Sequence, residues 1–146
     1  MYTYPECDAG WKQFTGKCYK YSSLKTNRTE AFRYCKSSNE NPSSTLVSIP
    51  NNETNNFLLT LTIESAWTGG YRKSDGVSWG WTDGSPWTFS NWSPGEPNNY
   101  SGEDNFVEIN VLGPTVGLWN DDPDVRYARG ALCQYELVFE PTDRSF

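Results

Sequence analysis

A single α+β domain is predicted for these 146 residues by three features. Helical periodicity is confined to the chain before Ile63, strand-like alternation dominates after it, and four cysteines are spaced as disulfide partners. The length suits one domain with a sizeable core. Aromatic residues make up 16%, with seven Trp and nine Tyr, so that core is expected to be built from large rings.

The opening CDAGWKQFTGKCYKY, from Cys7, alternates and carries Gly10 and Gly16, as a short hairpin would. In TNRTEAFRYCKSS, Asn27 followed by Glu30 resembles a capping box, and Ala31, Phe32 and Cys35 fall on one helical face. STLVSIP reads as a short strand stopped by Pro50. A second helix follows in NNETNNFLLTLTI, capped by Asn51 or Asn52, with Phe57, Leu58 and Leu61 facing inward. Beyond AWTGGY, Trp79 and Trp81 alternate, TDGSPW reads as a turn, and FVEINV and ALCQYE alternate like half-buried strands. Residues 69–105 are turn-rich, and loops of that length in a compact domain are usually functional. The domain is placed at 1–140, and 141–146 read as a tail.

Composition excludes several classes. A net charge of −6 without histidine lacks the basic footprint that nucleic acid demands. No apolar run reaches the roughly 18 residues a membrane span needs. Met1 leads straight into YTYPEC, so the start reads as a mature chain with an added or retained methionine. Cys7, Cys18, Cys35 and Cys133 form no CxxC pair, and no histidine could complete a zinc site. Disulfides are expected, with an extracellular, secreted setting. Three pairings are possible, and chain proximity favours Cys7–Cys18, leaving Cys35–Cys133 to close a long loop. Such a bond is worth about 4–5 kcal/mol in the chain-entropy model. Sequons at Asn27, Asn52, Asn91 and Asn99 fit secretion.

The stretch GEPNNYSGED, residues 95–104, gathers three carboxylates with no cation among them. Alone it reads equally well as a solvated acidic loop. A second cluster, LWNDD with Asn120 and Asp121, changes that balance. Carboxylate and amide oxygens are hard donors, suited to calcium, which takes about 6–8 of them. Glu96, Asn98, Glu103, Asn120 and Asp121 would supply five side chains. A cis bond before Pro97 would let Glu96 and Asn98 aim at one point, and such bonds tend to sit in tight turns.

These motifs resemble the C-type lectin-like domain, in its long form and with the mannose-type Glu-Pro-Asn tripeptide. The residues that carry the resemblance are GWKQFTGKCYKY, AFRYC, LVSI, WTGG, WGWTDGSPW, NWSPGEPNN, GED, LWND and ALCQYE, in order from about Cys7 to Glu136. The resemblance implies two helices packed on small antiparallel sheets with a long calcium-binding loop region. It also implies Cys7–Cys18 and Cys35–Cys133 pairings. A second loop disulfide usual in the family is missing, because Asn105 and about Asp124 occupy its positions, so the binding loops lose a staple. The implied calcium ligands are Glu96, Asn98, Glu103, Asn120 and Asp121. An auxiliary calcium is not expected, since Arg72, Lys73 and Asn99 stand where acids would be, and Asp75 and Asp104 alone are insufficient.

In that reading two vicinal sugar hydroxyls complete the calcium sphere. Glu96 and Glu103 accept their protons, Asn98 and Asn120 donate in return, and Tyr100 packs on the ring or faces solvent. Acid before proline and amide after it accompany mannose, N-acetylglucosamine, glucose and fucose in the family; the reverse, Gln-Pro-Asp, accompanies galactose. The implied partners are cell-surface or microbial glycans, bound weakly per site and gaining strength from homo-oligomers or clustering. The five Trp from Trp79 to Trp119 are expected beneath the loops as core. Two alternatives remain: a glycosidase using paired carboxylates, disfavoured by their clustering around one point, and a domain that turns the same face to protein or ice.

Overall fold

The computed structural model describes residues 6–125 and 128–137. The readings of Met1 and of the 141–146 tail therefore lie outside the described residues. The chain starts with a hairpin, β1 (Lys12–Phe14) against β2 (Lys17–Thr26), with Phe14 opposite Lys17. Its two-residue turn, Thr15 and Gly16, has φ of 49° and 83°. Positive φ at both positions gives the turn whose twist matches the flanking strands. The Cys7–Cys18 disulfide ties the preceding segment to β2.

Helix α1 (Arg28–Ser37) is capped by the Asn27 side chain, which accepts the Glu30 amide at 2.8 Å. Only half of the expected capping box forms. The Glu30 carboxylate takes the Arg33 guanidinium at 2.6 Å instead, because a charged donor outbids a neutral amide. Ala31 and Cys35 are buried and Phe32 is half-buried, as the periodicity predicts, but Arg28 shares that inward face. Cys35–Cys133 joins α1 to β8 (Arg129–Glu136).

In the predicted strand around STLVSIP only Thr45–Leu46 (β3) pairs, on β8, although Val47 and Ile49 are fully buried. Helix α2 (Asn52–Leu58) starts at Asn51, whose side chain accepts the Thr54 amide at 2.8 Å. It ends sooner than its apolar run suggests. The Thr60 hydroxyl turns back on the Phe57 carbonyl, offering the backbone an alternative to helix, and Ile63 is left exposed.

The remaining strands are β4 (Ala66–Arg72), β5 (Trp79–Trp81), β6 (Phe106–Ile109) and β7 (Trp119–Asp122). They form one sheet in the order β1-β2-β8-β4-β6-β7, with β3 on β8 and β5 on β4. All pairs are antiparallel except β4 with β8, which is parallel and joins the expected small sheets into one mixed sheet. Close packing explains the WTGG motif: a Cβ on Gly69 would lie 2.6 Å from the Thr82 hydroxyl and 2.8 Å from the Val47 carbonyl. Trp81 and Trp119 are buried beneath the long loops. Trp87 stacks on Trp81 at 4.2 Å, and Trp79 and Trp92 complete the cluster. The tryptophans are core, as expected, and they form a firm floor for the loop above.

Candidate metal and sugar site

The floor of the site is the β6–β7 pair, which sets Val107 opposite Asp121 and Glu108 opposite Asn120. The loop over it is anchored where the Ser93 amide reaches the Trp119 carbonyl at 2.9 Å. The Glu96–Pro97 peptide is cis. Asp121 then pins the chain beyond: its two carboxylate oxygens accept the Asn98 and Asn99 amides at 3.1 and 2.8 Å. The Asn98 side-chain amide donates to Glu96 at 3.1 Å. Farther on, Asn99 accepts the Asp104 amide, and the Asp104 carboxylate takes the Ser101 amide and hydroxyl.

These bonds shape a cavity of about 170 Å³ lined by Glu96, Asn98, Tyr100, Asp104, Asn120, Asp121, Asp122 and Pro123. Two separate segments thus bring four of the five expected ligands to one place. Glu103 is exposed and does not line the cavity; its amide donates to Ser101 Oγ at 3.2 Å and its carbonyl accepts the Asn105 amide at 3.0 Å. Another carboxylate is repelled by those of Glu96 and Asp121 and is better solvated outside. Among the described residues, no three acidic side chains are gathered as a ready metal cage. Tyr100 stands 85% exposed at the rim.

Burial and crowding of carboxylates mark the electrostatics of this cavity. The Glu96 carboxyl is pushed up to about 7, first by burial and then by the Asp121 carboxylate. Asp122 is pushed up to about 8 by burial and by Glu108, and among the described residues its buried Oδ2 has no hydrogen-bond partner. Hard oxygens, an orphaned carboxylate oxygen and suppressed ionisation are what a site fit for a divalent cation presents.

Sequence reading missed three features here. Arg72 donates to Asp121 Oδ2 at 2.9 Å and to the Asp104 carbonyl at 3.0 Å, an ion pair whose carboxylate is wholly buried. Glu108, held by Arg129, crowds the Asp122 carboxyl that lines the cavity. The third feature is the anchoring of the loop at the missing staple. Asp124 accepts the Thr29 amide and hydroxyl, both at 2.7 Å, and its carbonyl accepts the Arg28 amide at 3.2 Å. The Asn105 carbonyl separately accepts the Arg72 amide at 2.7 Å. A charged side chain at a helix N-terminus thus anchors the loop without a covalent bond. Asp75 is spent locally on the Val77 and Ser78 amides and the Ser78 hydroxyl, which hold its carboxyl down at about 2.

Residues 24–135 match the Lectin C-type domain family. The chain belongs to that family. C-type lectin domains are binding modules rather than enzymes, and the glycosidase alternative is set aside on that ground. The domain is 32% identical to a lectin of Pleurodeles waltl over 123 residues, which cover 80% of this chain and 69% of that protein. It is 31% identical to versican core protein of Rattus norvegicus over 134 residues, 90% of this chain but only 4% of that much longer protein. Among solved structures it resembles the cow CD23 C-type carbohydrate-recognition domain determined in the presence of GlcNAc2Man3 oligosaccharide. The TM-score is 0.81 and the identity 27%, over 91% of this chain and 98% of that one. A calcium-independent type II antifreeze protein matches the fold equally well, with a TM-score of 0.81 at 22% identity over 91% and 96% of the two chains. This C-type lectin domain carries both predicted disulfides, and no helix among its described residues is long and apolar enough to cross a membrane.

Proposed function

We propose that this domain is a secreted, calcium-dependent carbohydrate-binding lectin for mannose-type sugars. The observation that carries the reading is the convergence of Glu96, Asn98, Asn120 and Asp121 on one small polar cavity from two chain segments. Those four would hold the ion, with Glu103 completing the set by swinging inward from the rim. When bound, calcium supplies positive charge and open coordination places for two vicinal hydroxyls. Around them, Glu96 and Glu103 accept the hydroxyl protons while the Asn98 and Asn120 amides donate to the remaining lone pairs. The Asn98 amide lies 3.1 Å from the Glu96 carboxylate, so donor and acceptor already stand side by side. Tyr100, exposed at the rim, would touch the ring or a substituent.

The guanidinium of Arg72 and the local commitment of Asp75 favour one ion over two. A shallow site holding one sugar is expected to bind near millimolar, or about −4 kcal/mol, so recognition of terminal mannose-type glycans on cells or microbes calls for clustering or homo-oligomers. The experiment is a glycan array with calcium and with chelator. Retention of mannose-type glycans only with calcium is expected, and equal binding under chelation would overturn the reading. A second reading, that the same face meets protein or another non-sugar ligand, draws on the outward position of Glu103. Calcium binding without any glycan signal would favour it.

A further inference from the structure

A larger cavity, of about 570 Å³, lies on the other side of Arg72 from the chemistry above, between α1, β4 with its following turn, and the start of β6. Its charged walls are Arg28, Arg72 and Lys73, its rings are Phe32, Tyr71 and Phe106, and no carboxylate lines it. Arg28 is the unusual member. It is only 4% exposed, its Nε donates to the Thr68 carbonyl at 3.1 Å, and its guanidinium lies 4.6 Å from the centre of the Phe106 ring. Burial pushes it down to about 10, with Asp124 only partly opposing. Asp124 itself is spent on Thr29. Among the described residues, Nη2 of Arg28 and Nε of Arg72 are buried with no hydrogen-bond partner.

Unspent guanidinium donors are costly to bury, and an oxyanion is the partner that satisfies them best. Three rings and a volume within the range of about 300–1,000 Å³ typical of small-molecule sites call for more than a bare ion. We infer that this cavity is a second, calcium-independent binding site for a small organic oxyanion, in which a ring-sized body carries a carboxylate or sulfate ester. The charged group pairs with Arg28 and Lys73, and the ring packs among Phe32, Tyr71 and Phe106.

Calorimetric titration of the intact chain in chelator tests this, which keeps it separate from the sugar reading. The probes are benzoate, phenyl sulfate, inorganic sulfate and neutral benzyl alcohol. At least one aromatic anion is expected to bind at least tenfold more tightly than both sulfate and benzyl alcohol, and which one does so tells carboxylate from sulfate ester. Lys73 is exposed, so Lys73→Glu keeps the fold and should weaken that binding at least fivefold; Arg28→Gln should weaken it further. Affinity no better than that of benzyl alcohol, or unchanged in Lys73→Glu, would overturn the inference.

Discussion

The Arg72 guanidinium stands 2.9 Å from the Asp121 carboxylate, across 49 residues of sequence, and occupies a ligand that the calcium reading needs. The pair is nearly dry, with side-chain exposures of 12% and 0%. Asp121 is also the carboxylate that pins the Asn98 and Asn99 amides, so the cation, the loop and the candidate ion share one residue.

Removing that cation leaves a buried charge uncompensated. Arg72→Gln should cost about 3 kcal/mol in urea unfolding of the metal-free protein, the scale of breaking a buried pair. Calcium supplies a replacement positive charge, so it should raise the melting temperature of the variant more than that of the parent. A calcium response no larger in the variant would separate Arg72 from the metal site.

Proton linkage follows from Glu96 at about 7 and Asp122 at about 8. Their ordinary values are 4.5 and 3.8, so the folded chain holds both protons more tightly than the unfolded chain does. Stability is lost wherever the native state binds the extra protons, so these two groups make the metal-free protein less stable as pH rises from about 4.5 to 8. Calcium must displace the Glu96 proton, so its affinity should fall by up to about tenfold per pH unit below 7. Melting curves across that range should fall with rising pH in chelator and fall less steeply with calcium, because calcium cancels the Glu96 contribution and leaves that of Asp122.

Asp124 takes over what a disulfide would otherwise do for the loop. Asp124→Ala removes two hydrogen bonds at the N-terminus of α1 and should cost about 1 kcal/mol, or roughly 3–4 °C in melting temperature. Hydrogen exchange should quicken at the Thr29 amide while the Leu132 and Cys133 amides in β8 stay protected.

Local chemistry is what the sequence made legible. The cap at Asn27, a second at Asn51 or Asn52, a hairpin marked by Gly10 and Gly16 and the cysteine pairs depend on near neighbours or on few combinations. The meeting of Glu96, Asn98, Asn120 and Asp121 in one cavity was legible too, since oxygen donors cluster in two short segments. Long-range compensation was hidden. Nothing near Arg72 in the chain hints at Asp121, and a helix pattern gives no reason to bury Arg28 beneath Phe106. The parallel β4–β8 contact was equally silent, because strand periodicity carries no direction. Glu103 lies exposed outside the cavity, where water solvates its carboxylate better than a pocket already lined by four others.

The order of groups around Pro97 sets which side of the sugar receives protons and which side receives donors. Glu96 offers an acceptor and Asn98 a donor, held 3.1 Å apart. Exchanging them in the double variant Glu96→Gln with Asn98→Asp keeps the count of oxygens and the net charge while reversing that polarity. Calcium binding should survive within a few-fold, and preference in competition assays should move from mannose toward galactose. Each hydroxyl that meets the wrong partner forfeits a charge-assisted hydrogen bond, about 1.5–3 kcal/mol, or at least tenfold in affinity. If the double variant still prefers mannose, hydrogen-bond polarity at these two positions does not govern the choice of sugar.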